Sequence, residues 1–520
     1  VATRKDQLDA FNFARRRLVA NLVAPSATGS DEGAPRPVRT FASSIVLSAI
    51  AVAAVAVLGV FKPAAPSGWQ SGLAVDSSSG AAYIDQGNVL HSVDNITSAR
   101  LLLGTKFAKY DVPDSTLNNS GIPIGPQVGI LGAPEDVPAA SNMNLTQWSF
   151  CQNEASASDE TVAGGLTYLE IGYWPAASST RLWTTASAQA LIVHDSAGKV
   201  YLIQGDYRYY IGDENTDPKA VQAFLEGITG DNGTFINPDM DGYWVSDTWL
   251  SVFPLGSPIV YPTLTTDDLG DKPAGTAQLG EVGQYGAVGS GGVVQTQNGV
   301  VQLNPFAYDL YKANPALTED RVSPLPADEL TASAITLAQE GSSGTVDVAD
   351  SFASGSYGSN WPTTALTVSG ADTGSAAAQN ICVGYQYTSP AAVVSLTTWL
   401  SPQLPYGTPG SQFGLTQKVS TAYANTVLVK PGSGLIAQAS SGGAAQNLPY
   451  LIEESGYRYA LITDTAGSCS DSSTMSAVCQ LGYGSVTVQP VLSGFLDLIQ
   501  VGANLDPKQA GLSSGTVSIG

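Results

Sequence analysis

Between Arg39 and Lys62 the chain carries no charge, and Phe41 to Phe61 is a run of 21 mostly apolar residues in an otherwise mixed sequence. At 1.5 Å of rise per residue, a helix of that length reaches roughly 30 Å, the thickness of a bilayer's hydrocarbon core. The run predicts one transmembrane helix over 41–61, with Phe41, Ile45, Val57 and Phe61 along it. A cleaved leader fits less well, because it needs a short basic start and a small-residue cleavage site. Here about 40 residues precede the run, and it ends Val60-Phe61-Lys62-Pro63. A buried core helix would be shorter and two-faced, whereas Ile45 to Val60 is apolar nearly all round.

Charge orients the span. Residues 1–40 hold seven Lys/Arg against four Asp/Glu, a net of +3, so the −22 of the whole chain leaves −25 beyond residue 40. Basic residues near a span stay on the cytoplasmic face, which predicts a cytoplasmic N-terminus, a single pass and a periplasmic body at the inner membrane. The acidic body disfavours nucleic acid and anionic lipid headgroups as its partners. At about 460 residues the body is long enough for several domains.

All four cysteines, Cys151, Cys382, Cys469 and Cys479, follow the span. An even number on the oxidising side reads as two disulfides with three possible connectivities. Cys469 and Cys479 enclose a polar loop and are the natural local pair, which leaves Cys151 with Cys382. Metal is the weaker reading: there is no Cys-x-x-Cys, and His91 and His194 are the only histidines.

Ahead of the span, Leu8, Phe11, Leu18 and Leu22 recur at helical spacing, and Thr3 and Asp6 stand as a capping pair. A lone helix of about 20 residues is marginal in water, so this apolar stripe predicts a cytoplasmic amphipathic helix that covers either the membrane or another protein; with no tryptophan and acids mixed in, a partner protein is the preferred reading. Residues 24–40 read as a linker, giving a helix-and-linker segment over 1–40.

Beyond the span the recurrent signal is the β-hairpin. Ala190 to His194, the turn at Asp195 to Lys199, and Val200 to Gln204 form the clearest one, followed by Gly205-Asp206 and Tyr207 to Ile211. Related pieces start at Tyr83, Val294 and Tyr450. A Val-x-Asp or Val-x-Pro step follows each, and Val112-Pro-Asp and Val245-Ser-Asp share a downstream Pro-x-Gly, Pro123-Ile-Gly125 and Pro254-Leu-Gly256. A hairpin with one helix buries little alone, so such units must pack on one another or on a shared core. The predicted body over 62–520 is α+β, β-rich and elongated. It has about four hairpin-and-helix repeat units (80–130, 185–260, 290–340, 445–506), a central β domain from 130–180 and 345–430, and a tail over 507–520. Gly/Ser-rich stretches near 267–292 and 339–380 read as linkers or long loops.

Catalytic devices are hard to find, and no cofactor is expected. The chain has no Gly-x-x-x-x-Gly-Lys-Ser/Thr phosphate loop. Gly511-Leu-Ser-Ser-Gly515 matches a nucleophile elbow in letters only, and Ser196-Ala-Gly-Lys199 reads as a hairpin turn. His194 beside Asp195 reads as a solvated turn residue rather than part of a triad. Glu453-Glu454 and Asp267-Asp268 are adjacent and would point opposite ways in a strand, unlike a glycosidase pair. Tyr207, Tyr209, Tyr210, Trp244 and Trp249 read as packing aromatics, with a wall-glycan platform as the weaker alternative.

Together these features resemble EccB, the membrane component of actinobacterial type VII (ESX) secretion systems. The likeness rests on Thr3-Arg-Lys-Asp-Gln7 and Phe13-Ala-Arg-Arg-Arg-Leu18, and on the single span near residue 50. It rests also on Trp148-Ser-Phe-Cys151, Ile381-Cys382, and Pro431-Gly-Ser-Gly-Leu435 ahead of Tyr457-Arg-Tyr459. The resemblance implies a non-catalytic structural subunit whose central β domain is ringed by four repeats and clasped by a Cys151–Cys382 disulfide. It implies assembly with the ATPase EccC, with EccD, EccE and the protease MycP, and with further copies of itself. The ATPase label sometimes given to such proteins has no motif behind it in this sequence.

Overall fold

The structure is a computed structural model. It describes residues 3–23, 42–52, 65–155, 166–175, 181–184, 189–213, 243–261, 292–296, 299–314, 379–388, 395–407, 422–441, 444–463 and 476–513. It also describes shorter pieces at 215–217, 221, 224–225, 282–284, 361–362, 364, 366–369 and 469. The chain divides into two compact units. One takes residues 1–69, 75–80 and 110–121; the other takes 70–74, 81–109 and 122–520.

In the first unit, Arg4–Val23 is a helix, α1. Thr3 begins it: its backbone N–H and its hydroxyl both donate to Asp6 Oδ2, at 2.9 and 2.7 Å. These bonds satisfy an orphan donor of the first turn and lower the Asp6 carboxyl pKa. Residues 42–52 are also helical. Ile45 is exposed there, while Phe41, Val57 and Phe61 lie outside the described residues. No helix among the described residues is long and apolar enough to cross a membrane. Val112-Pro113 leads into a short helix, Asp114–Asn118, where proline's fixed φ suits the entry.

The second unit is built on a six-stranded sheet. Its order is Thr426–Val429, Thr167–Ile171, Gln147–Ala155, Gln379–Gln386, Thr397–Ser401, Arg181–Thr184. Only Thr426–Val429 runs parallel to its neighbour. All five residues of Thr167–Ile171 are buried, so both faces of the sheet are covered. One face carries Trp148, Phe150, Leu169, Ile171, Val383 and Tyr385 into the main core with Phe495. The other carries Cys151, Tyr168, Cys382 and Trp399 beneath Leu404.

Two further sheets share one topology. In one, Tyr207–Asp213, Lys199–Gln204, Gln189–His194 and Tyr243–Trp244 are neighbours in that order; in the other, Arg458–Ala460, Ala444–Ile452, Leu435–Ser441 and Val488–Leu492 are. In each, three strands meander and a fourth returns parallel to the first. A short helix follows each return strand, Asp247–Leu250 capped by Ser246, and Ser493–Asp497. The hairpin Ala82–Asp85 with Leu90–Ser92 and the sheet Val282–Gln284, Gly292–Thr296, Gly299–Leu303 are related pieces. Pro305–Lys312 follows the latter as a helix, with Asn304 as its N-cap.

Parts of the Gly/Ser-rich stretches are structured rather than loops. Val282–Gln284 is a strand within 267–292, and Thr367–Ser369 adds in parallel to Gln189–His194. Past Pro507 a helix, Pro507–Ala510, buries Ala510 in a core with Leu101, Leu451, Tyr459 and Leu481. That core joins the helix Ile96–Leu103 to the last sheet, so an early and a late segment of this unit share one interior.

Candidate functional site

The clearest recurrent geometry lies at the outer strand of three hairpins. Leu90, Arg208 and Arg458 each form a parallel bridge to a later segment, at Ile124, Leu255 and Val501. In each the strand residue donates its N–H to the residue before the bridge partner: Leu90 to Pro123 O, Arg208 to Pro254 O and Arg458 to Gln500 O, at 2.8–3.0 Å. The glycine after the partner donates back: Gly125 to Leu90 O, Gly256 to Arg208 O and Gly502 to Arg458 O, at 2.8–2.9 Å. A third bond repeats as well, from Val128 to Ser92 O, Ile259 to Tyr210 O and Leu505 to Ala460 O. These segments cover a strand edge that would otherwise present unpaired backbone groups.

A ring closes each edge. A Cβ added at Gly125 would lie 2.5 Å from the His91 ring, and at Gly256 or Gly502 it would lie 2.4 Å from Tyr209 or Tyr459. Only glycine admits that approach. Two copies also place an arginine over a tyrosine, Arg208 on Tyr201 at 5.9 Å and Arg458 on Tyr450 at 5.5 Å. The bridge partners themselves face outward: Ile124 is 69% exposed, Leu255 60% and Val501 52%.

Among the described residues, the carboxyl whose pKa is raised furthest lies on the disulfide face of the six-stranded sheet. Cys151 and Cys382 are direct cross-strand partners and are bonded, with Cα atoms 4.0 Å apart. Glu170 lies on the adjacent strand opposite Ser149, fully buried. Its Oε2 accepts the Tyr406 N–H at 2.9 Å, while Oε1 is buried with no hydrogen-bond partner. Burial pushes its pKa up to about 7, opposed only by the Tyr406 bond.

The predicted site residues fall in separate places. Leu8, Phe11, Leu18 and Leu22 are on α1 and all four are exposed. Cys469 and Cys479 are bonded to each other, so both expected pairs are present. His194 corrects the sequence reading: it is buried rather than solvated, stacked on Trp244 at 5.0 Å. The parallel return strand brings Trp244 directly opposite His194. Asp195 accepts the N–H groups of Ala197 and Lys199 at 2.9 Å, which accounts for Ser196-Ala-Gly-Lys199 as a hairpin turn.

The other chemical candidates resolve as structure. Tyr209, Trp244 and Trp249 are buried, Trp249 against Phe253 at 5.0 Å. Glu453 is buried and bonds Ser455, while Glu454 takes the Gly432 N–H at 2.8 Å, so the two carboxylates face different groups. Asp267 and Asp268 lie outside the described residues. Gly511 follows a helix, not the strand that a nucleophile elbow requires. Among the described residues no cluster of His, Cys, Asp or Glu could hold a metal ion.

Comparison with known proteins gives a consistent result. The family model described as "Type VII secretion system ESX-1, transport TM domain B" matches residues 1–519. The "ESX-1 secretion system ATPase EccB1" of Mycobacterium tuberculosis (strain ATCC 25618 / H37Rv) is 34% identical over 155 residues, 30% of this chain and 32% of that protein. The "ESX-2 secretion system ATPase EccB2" of the same strain is 26% identical over 313 residues, 59% of each. The chain thus spans about a third of the length of the EccB1 relative it matches. Among solved structures, a chain of the intact ESX-5 inner membrane complex superposes with a TM-score of 0.60 at 18% identity, covering 100% of this chain and 97% of that one. The EccB3 dimer from the ESX-3 core complex gives 0.58 at 20% identity, covering 85% and 99%. At these identities the structural likeness shows the fold.

Proposed function

The chain belongs to the type VII secretion EccB family, and from that premise we propose that it is a non-catalytic structural subunit of an ESX membrane complex. The observation that carries the reading is the family match over residues 1–519, joined to a fold likeness that spans the whole chain. We take residues 41–61 as the single membrane crossing, supported by their uncharged apolar composition and the helix at 42–52. The basic arm is then cytoplasmic and the acidic, disulfide-bonded body periplasmic.

Within the body, the six-stranded sheet serves as the central domain, and the hairpin sheets serve as repeats that pack on it. The recurrent edge bridges at Ile124, Leu255 and Val501 support such a repeat. The apolar stripe of α1 is the contact to another subunit on the cytoplasmic side, and its exposure supports that role. The partners of this reading are the EccC ATPase, EccD, EccE and MycP, with further copies of the chain itself.

The relatives' names contain the word ATPase, which sets the second reading. Nucleotide hydrolysis needs a group of donors converging on phosphates. The sequence offers no phosphate loop for it, so we assign hydrolysis to the EccC partner. Deleting residues 1–23 while keeping the span tests the main reading. The truncated chain is expected to reach the membrane but to drop out of the large complex on native gels. Unchanged co-purification with the other membrane subunits would refute the role given to α1. Detectable ATP turnover by the purified full chain, abolished by a point substitution in this chain, would refute the non-catalytic assignment.

A further inference from the structure

We propose that Glu170 is a pH-sensitive latch: its ionisation releases the turn at residues 402–407 from the central sheet and opens the Cys151–Cys382 disulfide to reductants.

Three contacts dock this turn. Leu404 is buried in the cluster formed by Cys151, Cys382, Tyr168 and Trp399. The Tyr406 N–H donates to Glu170 Oε2, and the Tyr406 ring meets Tyr173 edge-on at 5.1 Å. The turn closes on itself through Gly407 N–H to Leu404 O at 2.8 Å. Both cysteines are fully buried in the cluster that Leu404 completes, so parting these contacts removes one of the groups that cover the disulfide.

Glu170 is poorly compensated as an anion. One oxygen has a single neutral donor, and the other is buried with none. The strands on either side place Ser149 and Leu428 opposite it, neither of which carries charge. Among the described residues the titratable groups around it are Tyr168, two residues back on the same face of its strand, Tyr173, beyond the strand's end, and Tyr406 on the turn. Lys430, at the end of the strand on the Leu428 side, is exposed. Among the described residues no basic side chain contributes to the carboxyl's pKa, and burial is what drives it upward. A buried carboxylate with one hydrogen bond gains free energy by reaching water. Undocking the turn is the smallest movement that exposes it.

The sign follows from linkage. The closed state binds the proton more tightly than the open state, so closure is favoured at low pH and weakens as pH rises toward 7. For a carboxyl moving between an ordinary 4.5 and about 7, the open fraction grows about thirtyfold from pH 5.5 to 8.5.

The test uses the full chain in detergent, treated with a phosphine reductant from pH 5.5 to 8.5, with freed thiols alkylated and located by mass spectrometry. Cys469–Cys479 serves as the internal reference for the reductant's own pH dependence, since Cys469 is exposed. Relative to that reference, reduction of Cys151–Cys382 is expected to accelerate about thirtyfold across the range, and within about twofold in Glu170→Gln. A flat wild-type profile, or an undiminished rise in Glu170→Gln, overturns the latch. Should Glu170→Gln fail to fold, amide exchange at Tyr406 in the unmodified chain decides instead. Its rate should climb faster than base catalysis alone between pH 5.5 and 7, and a rise matching base catalysis overturns the proposal.

Discussion

The ring of Tyr459 rests on Gly502, so close that a Cβ there would lie 2.4 Å from a ring carbon. Tyr209 on Gly256 repeats that relationship, and His91 on Gly125 comes within 2.5 Å. Gly502→Ala or Gly256→Ala must push a buried tyrosine off a covered strand edge, and overpacking of this kind costs about 1–3 kcal/mol. Chemical denaturation of each variant against the unmodified chain measures it. Gly125→Ala is expected to cost less, because His91 is only partly buried and its ring can swing aside.

How much of this was legible in the sequence differs from element to element. The Pro-x-Gly sequel after Val112 and Val245 reads in the sequence as a repeat signal, and in the fold it falls at two of the three edge bridges. In the third copy Gln500 stands in place of the proline, so the Pro-x-Gly pattern does not reach it. The ring partner was invisible because each ring and its glycine are 34 to 47 residues apart, and no local pattern links them. Hairpins followed directly from alternation and turn residues, whereas the parallel return strands did not. Their pairing is non-local, and Tyr243–Trp244 is only two residues long.

The same non-locality hid the buried polar residues. His194 sits at the end of a hairpin strand, a position that reads as solvated, and only the return strand at Trp244 encloses it. Glu170 lies in Thr167-Tyr-Leu-Glu-Ile171, where alternation suggests an outward face. The turn at 402–407 covers that face from more than 200 residues away. The apolar stripe on α1 and both disulfide pairs, by contrast, came from spacing and count.

Glu170 also sets a stability trend. Its pKa is about 7 in the fold against an ordinary 4.5, so the folded chain holds a proton that the unfolded chain releases. This group's contribution is therefore full at low pH, declines as pH rises from 4.5, and is lost above 7. Its span is of the order of 3 kcal/mol, from about 1.4 kcal/mol per pH unit. Urea midpoints of the unmodified chain minus those of Glu170→Gln, taken from pH 5 to 8, should fall across that interval. A difference independent of pH would show that the carboxyl titrates normally.

The two disulfides should be unequal. Cys151–Cys382 closes 231 residues and Cys469–Cys479 closes 10. On the chain-entropy account, the long loop is worth about 5 kcal/mol and the short one about 3, both upper values. Replacing each pair with alanine should lower the denaturation midpoint more for Cys151/Cys382, whose positions are also buried in an apolar cluster. Equal losses would mean that the short bridge fixes the shared core of Leu101, Leu481 and Tyr483 as well as its own loop.

The stripe on α1 separates assembly from folding. Leu8, Phe11, Leu18 and Leu22 are exposed, so nothing in the folded chain depends on burying them. Substituting Phe11 and Leu18 with aspartate keeps the cap at Thr3 and Asp6, and side chains of this kind on a solvated surface shift stability by about 0.5 kcal/mol or less. Against a partner, the same pair would place two charges in an apolar contact, at roughly 2–4 kcal/mol each. The double variant should therefore match the unmodified chain in denaturation and in membrane insertion while losing its place in the large complex. If it stays in the complex at full occupancy, the apolar stripe is not the contact. If instead its unfolding free energy falls by several kcal/mol, the stripe is buried within the chain's own fold.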